Sequence, residues 1–274
     1  MPGKLVVCPT PIGNLEDISA RVRRALHEAD VIASEDTRRT GLLLERLEIQ
    51  ALRMVSYHEG NEAERARELA QRIERGDTVA LVSDSGTPAI SDPGFRLIRA
   101  CIDRDLDLEV LPGPSAITTA LVASGLPTHR WRFQGFLPRR TGELEQVLQS
   151  ADTLVAFESP RRLPESLAAL AQLAPDRSAA VCRELTKLHE EVARGTLGEL
   201  SRRFRDDVRG EIVVVIGPAA VGGAPQDIGF AVDALRGLVR AGARPRAAAS
   251  VVSALTGVPA NELYRGITGR EPRR

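Results

Sequence analysis

Lysine is nearly missing from this chain of 274 residues. Of its 37 basic side chains only Lys4 and Lys187 are lysine, which leaves arginine to carry almost all positive charge. Aromatics make up 3% of the sequence, and there are three cysteines, Cys8, Cys101 and Cys182. Widely spaced cysteines in apolar surroundings exclude a disulfide framework and a zinc-ligand spacing, and fit reduced core residues of a cytoplasmic protein. No run of about 18 apolar residues is present, so no membrane-spanning helix is expected. The N-terminus enters a strand directly, with no basic segment and long apolar core, so no signal peptide is expected. G-x-G-x-x-G, G-x-x-x-x-G-K-[ST] and G-x-S-x-G are all missing, and no His/Cys cluster has metal spacing. Dinucleotide binding, a Walker-type phosphate loop, a hydrolase triad and a metal centre therefore find no support.

What the sequence does hold is organised around residues 78–94, TVALVSDSGTPAISDPG. Residues 78–82 form a short apolar, β-branched run, the mark of a buried strand. A long turn-rich loop follows, in which Gly86 permits positive φ, Pro88 and Pro93 stiffen the path, and Asp84 offers an acceptor. In open α/β sheets ligands bind beyond the carboxyl ends of strands. Loops of the same character follow other apolar runs, at 10–14, 112–116 and 184–187. Such a set suits a small ligand held by backbone groups and one or two acids.

Strand–loop–helix units repeat along the first 126 residues, which predicts an α/β domain with a mainly parallel sheet. A second α/β domain is expected over 127–222, with Gly222-Gly223-Ala224-Pro225 as a linker. Residues 223–274 read as three short helices with helix-turn-helix spacing, Gly257 falling in the turn. This tail carries eight arginines against four acids and is about +4, on a chain of net charge zero.

Two polar groups stand apart from the ligand loops. Residues 129–140, HRWRFQGFLPRR, interleave aromatics with arginine. Arg130, Trp131, Arg132, Arg139 and Arg140 suit base stacking and phosphate contact, and a strand with core aromatics is the other reading of the same residues. Arg161, and Arg246 and Arg265 in the tail, add candidate phosphate contacts. The second group is Glu35, Asp36 and Arg38, then His58, Glu59 and Asn61, after neighbouring expected strands. A histidine among carboxylates in a cleft is material for general-base chemistry; helix capping and local ion pairing would also account for Asp36 and Arg38.

PTPIGNLEDIS, ASEDTRRTGLLL, LVSDSGTPAISDPGF, LPGPSAITTALVASGLP, FQGFLPR, FESPRRL and CRELTKLHEE follow one another along the chain. In this order and spacing they resemble the ribosomal RNA small-subunit methyltransferase I family, within the tetrapyrrole-methylase superfamily. The C-terminal RAAASVVSALTGVPANELYRGI resembles the helix-turn-helix segment appended to that family. The resemblance implies two α/β domains of the class III methyltransferase type, a homodimer, and S-adenosylmethionine in the cleft between the domains. It implies methyl transfer to the ribose 2′-oxygen of a decoding-centre cytidine in 16S rRNA of the 30S subunit, without a metal or a membrane. By position the cofactor would meet Pro11, Ile12, Asp84, Gly86, Pro88, Ala89, Ile90, Ser115, Ala116, Phe157, Leu185 and Glu211. Asp36, Glu35 or His58 would take the hydroxyl proton, with Asn61, Arg38 and Lys187 positioning ribose and phosphate. The loop at 83–88 is longer than the turn of the tetrapyrrole members, which favours the rRNA branch. Methylation of a precorrin or a protein side chain on the same fold, and a ligand-sensing nucleic-acid-binding regulator, are the competing expectations.

Overall fold

The computed structural model describes residues 3–206, 208–219, 228–256 and 258–268. Five parallel strands form the first sheet: β1 (Lys4–Val7), β2 (Val31–Ser34), β3 (Met54–Ser56), β4 (Thr78–Val82) and β5 (Asp107–Val110), in the order β3-β2-β4-β1-β5. Alternation along the strands sends side chains to two cores. Leu5, Val7, Val79 and Leu81 pack under α3 (Glu62–Glu74) and α4 (Phe95–Asp103). Val6, Ile32, Ala80 and Val82 pack against α1 (Ala20–Glu28) and α2 (Thr37–Arg46). Because every strand is parallel, the loops at 8–19, 35–36, 57–61, 83–94 and 111–115 all emerge on one edge, where the ligand loops were expected.

The second sheet is mixed, in the order β6-β7-β10-β8-β9. Its strands are β6 (Trp131–Phe136), β7 (Thr153–Glu158), β8 (Ser178–Arg183), β9 (Glu191–Thr196) and β10 (Ile212–Ile216). Helices α6 (Thr141–Leu148), α7 (Leu163–Leu173) and α8 (Leu197–Arg203) cover one face. The opposite face is covered by α5 (Ala116–Ser124), which follows β5 in the chain yet buries Ile117, Ala120 and Leu121 on Val155, Ala180, Val213 and Val215. Six of its nine residues are apolar, and Val122 is left exposed on its outer side. Three further helices, α9 (Ile228–Arg240), α10 (Pro245–Thr256) and α11 (Ala260–Thr268), close around Leu235, Ala249, Val252 and Leu263. The expected linker at 222–225, the boundary after it, and Gly257 lie outside the described residues. The apolar run from Leu52 to Ser56 predicts a strand, yet β3 begins only at Met54 and Leu52 is exposed.

One carboxylate ties two of the strand-end loops together. Glu62 Oε1 accepts hydrogen bonds from the Gly94 and Arg96 backbone N–H groups at 3.0 and 3.1 Å, at the start of α4. The buried Tyr57 hydroxyl donates to the same oxygen at 3.2 Å and accepts from Leu97 N–H. Charge-assisted bonds at a helix N-terminus rank among the stronger ones. Glu62→Gln should therefore lower stability by about 1–2 kcal/mol in urea unfolding. An unchanged midpoint and slope would show that the carboxylate charge is immaterial there.

Candidate functional site

The loops after the adjacent strands β1 and β4 are bonded to each other. Thr10 N–H donates to Gly86 O at 2.8 Å, and Gly86 N–H donates back to Thr10 O at 3.0 Å. Gly86 has φ of 78°, a left-handed value that glycine adopts without strain. The pairing carries Ile12 into the apolar cluster between the sheets, beside Leu185 and Val213. Beyond Ile12, Asn14 N–H donates to Thr186 Oγ1 at 3.1 Å. A Cβ on Gly13 would lie 2.5 Å from Lys187 Cγ, so the two loops meet at closest approach.

Between the sheets lies a cleft of about 370 Å³. Seven of the twelve expected cofactor residues line it: Ile12, Gly86, Ile90, Ser115, Ala116, Phe157 and Glu211. The other five stand around it. Leu185 is buried in the cluster behind Ile12, Pro11 adjoins Ile12, and Pro88 is buried in the loop. Ala89 has φ of 70° and packs against Gly94, while Asp84 turns to the rim. Phe136 and Asp92 also line the cleft, and sequence reasoning missed both as ligand residues. Phe136 falls in the stretch read for RNA, and its ring meets Phe157 edge-on at 5.8 Å. Ser115 stands at the N-cap of α5, where its side chain makes no capping bond.

The rim is built from the ends of β2 and β3. Asp36 N–H donates to Asp84 Oδ1 at 3.1 Å, and Arg39 pairs with Asp84 at 3.1 Å. Asp36 caps α2 and holds the exposed Arg38 through two side-chain bonds. That guanidinium lowers the Asp36 carboxyl to about 2. Glu35 is shifted the other way: burial raises its carboxyl, and the neighbouring Asp84 charge adds to the rise. Asn61 accepts from His58 N–H at 2.9 Å and donates to Ser56 O at 3.2 Å, so it fixes the loop that presents His58. Lys187 is placed elsewhere, paired with Glu184 at 2.8 Å and Glu211 at 3.1 Å. Burial pushes the Asp92 carboxyl up to about 6, Glu35 and Asp84 push the same way, and a Ser83 side-chain hydrogen bond opposes them.

Of the arginines read for RNA, Arg130 pairs with Asp152 at 2.9 Å and Arg132 donates to Val147 O at 3.2 Å. Arg139, Arg140, Arg161, Arg246 and Arg265 are exposed, and Trp131 is 39% exposed. The neighbouring Arg162 reaches the fully buried Glu158 side chain at 3.3 Å and donates to Leu137 O and Pro138 O. It thus pins the segment carrying Arg139 to the turn after β7. Among the described residues no group of three or more His, Cys, Asp and Glu could hold a metal ion, and no helix is long and apolar enough to cross a membrane.

Two α/β sheets facing one another over a cleft at the carboxyl edge of a parallel sheet define a methylase class. Residues 4–201 match the sequence pattern of the Tetrapyrrole (Corrin/Porphyrin) Methylases. The fold is similar to uroporphyrin-III C-methyl transferase from Thermus thermophilus in complex with S-adenyl homocysteine, at TM-score 0.54 and 20% identity over 79% of this chain and 97% of that one. Ribosomal RNA small subunit methyltransferase I of Micromonospora olivasterospora is 44% identical over 97% of this chain and 86% of its own length. The protein of that name from Escherichia coli O157:H7 is 39% identical over 96% and 94%. The chain belongs to the tetrapyrrole methylase family and, within it, to the ribosomal RNA small subunit methyltransferase I family.

The Asp92 environment has a thermodynamic consequence. A carboxyl held above its ordinary 3.8 takes up a proton more readily in the folded than in the unfolded chain. Its contribution to stability therefore grows as pH falls through the raised value. Asp92→Asn should raise Tm at about pH 7.5, keep about half of that gain at about pH 5 and lose most of it by about pH 4, by calorimetry. An equal effect at both pH values would contradict the raised carboxyl.

Proposed function

We propose that this chain is an S-adenosylmethionine-dependent methyltransferase that acts on the ribose 2′-oxygen of a decoding-centre cytidine in 16S rRNA, within the 30S subunit. The observation that carries the reading is one juxtaposition. A largely apolar cleft, closed at one end by a helix N-terminus, opens beside a rim where Glu35 is held above the usual carboxylate range. The residues present fit the cofactor. Ile12, Ile90, Phe157 and Val213 offer apolar surface to a flat ring, and the N-terminus of α5 with Ser115 suits a carboxylate or hydroxyl. When bound, S-adenosylmethionine supplies a methyl group already activated by its sulfonium.

The chain supplies orientation and a proton acceptor. A ribose hydroxyl is a weak nucleophile until its proton is taken, and a base works best when its pKa lies near the working pH. Asp36 is a poor choice, because Arg38 and the helix cap stabilise its ionised form. Glu35 is the better base, since burial and Asp84 make its carboxylate more avid for a proton. Asp36 orients Arg38, which stands 89% exposed on the rim and can reach a phosphate. Asn61 holds the His58 loop, and Lys187 steadies Glu211 at the cleft wall. Exposed Arg246 and Arg265 on α10 and α11 are read as phosphate contacts, and a second copy of the chain as the partner implied by family likeness.

Glu35→Gln should lower kcat on 30S subunits by about 10²–10⁴ while S-adenosylhomocysteine affinity is kept. Asp36→Asn should have a smaller effect. Full turnover in Glu35→Gln would remove Glu35 as the base. The rate should fall as pH drops through the raised Glu35 value, because only the ionised form accepts a proton. Replacing Arg246 and Arg265 together by alanine should weaken 30S binding and flatten its logarithmic salt dependence by about one to two phosphate contacts. An unaltered salt slope would place the RNA surface elsewhere.

A further inference from the structure

Phe95 is an aromatic residue with no place in the interior. Its side chain is 65% exposed and belongs to none of the five apolar clusters. Among the described residues no other ring meets it, whereas Phe133 and Phe136 both meet Phe157. Its backbone, by contrast, is clamped. Glu62 Oε1 accepts the N–H groups on either side of it, from Gly94 and Arg96, and the buried Tyr57 hydroxyl accepts the next one, from Leu97. Phe95 is the first residue of α4, at the carboxyl edge of the first sheet, three residues after the cleft-lining Asp92. Three residues of chain span at most about 11 Å, so Phe95 stands at the mouth of the cleft. The same edge carries Arg38, Arg39 and Arg96, each anchored by one carboxylate, of Asp36, Asp84 and Glu62, with its guanidinium largely in solvent. A rigid, exposed ring among cations suits an unpaired nucleic-acid strand, since the ring can take a base and the guanidinium groups its phosphates.

We propose that Phe95 is a base-stacking residue of the RNA site: its exposed ring, clamped at the start of α4, stacks on an unpaired base of the substrate strand and so holds the ribose that enters the cleft. The inference deepens the methyl-transfer reading above and rests on it for the identity of the RNA. The stretch at 129–140 is less suited to this task. Phe133 and Phe136 are engaged with Phe157, and Trp131 opens β6 at the strand end away from Phe136 and the cleft. Because Glu62 and Tyr57 already fix the backbone around Phe95, little ordering remains to be done when a base arrives. Stacking uses the π face, tolerates any base and releases no counterion. Ile102 lies two turns further along α4 and is also exposed, which makes it a control. A base meets only the ring at the edge, whereas a protein partner laid along α4 would cover both side chains.

The test measures binding of 30S subunits to the full-length protein over a salt series, for wild type, Phe95→Ala, Phe95→Leu, Phe95→Tyr and Ile102→Ala. Phe95→Ala should weaken binding by about 5–100-fold, the worth of one stacked base, with the logarithmic salt slope unchanged. Phe95→Leu, which keeps apolar bulk without a ring, should lose nearly as much. Phe95→Tyr should stay within about twofold of wild type, as should Ile102→Ala. S-adenosylhomocysteine affinity and sedimentation should be the same in all five proteins. Wild-type binding by Phe95→Ala or by Phe95→Leu would overturn the proposal, because the ring would then be unnecessary. An equal loss in Ile102→Ala, or a change of oligomeric state, would overturn it too and make this side of α4 a protein contact. If the ring effects appear but the wild-type protein transfers no methyl group to ribose, the stacking stands and the methyl-transfer reading falls. If methyl transfer occurs and Phe95→Ala binds like wild type, the reading stands and the stacking falls.

Discussion

Two backbone hydrogen bonds between Thr10 and Gly86 decide where the rest of the site lies. They join the loops of neighbouring central strands, so neither loop can move alone. From that junction Ile12 runs into the cluster between the sheets, and Asn14 reaches Thr186 on the second sheet. In the other direction the 83–94 loop presents Asp84 to the Asp36 backbone and ends at Gly94, under the Glu62 carboxylate. The cleft and the rim are thus two sides of one hydrogen-bonded unit. A glycine at position 86 is what allows it, because the turn needs φ of 78° while the backbone stays close to Thr10.

Electrostatics then separates carboxylates that the sequence places side by side. Glu35 and Asp36 are adjacent, yet one is raised by burial and the other is lowered by Arg38. Solvent access and a single arginine partner set that difference, in the way that environment assigns unlike roles to paired acids elsewhere. Left-handed backbone at Ala89, Ser91, Glu184 and Thr186 stores strain in both loops beside the cleft. Such conformations persist only where surrounding contacts overdetermine them. Lys187, joined to Glu184 and Glu211, and Gly13, pressed on Lys187, are among those contacts.

Much of the fold was legible because apolar runs of period two and turn-rich strand ends are local signals. The parallel first sheet, the loops at its carboxyl edge and the three C-terminal helices all follow from such patterns. Long-range features were hidden. Nothing in the sequence of α5 says that it packs on the second sheet, since an apolar face does not name the sheet that covers it. Arg130 and Arg132 look like free cations in a basic aromatic stretch, but Asp152 and the Val147 carbonyl occupy them through tertiary contact. Asn61 spends its amide on Ser56 and His58, contacts that the sequence alone does not show. Asp92 reads as a turn residue before proline, and only the three-dimensional path turns it into the cleft.

The central claim is that this cleft and its rim carry out ribose methylation of 16S rRNA. Mass spectrometry of 16S rRNA nucleosides, from cells with and without the protein, tests it most directly. The account predicts that 2′-O-methylcytidine disappears from the small-subunit RNA when the protein is removed. It also predicts that the purified protein restores the modification to 30S subunits when S-adenosylmethionine is supplied. An unchanged nucleoside profile in cells lacking the protein, with no methyl transfer to their subunits in vitro, would contradict the account and leave the cleft with a different acceptor.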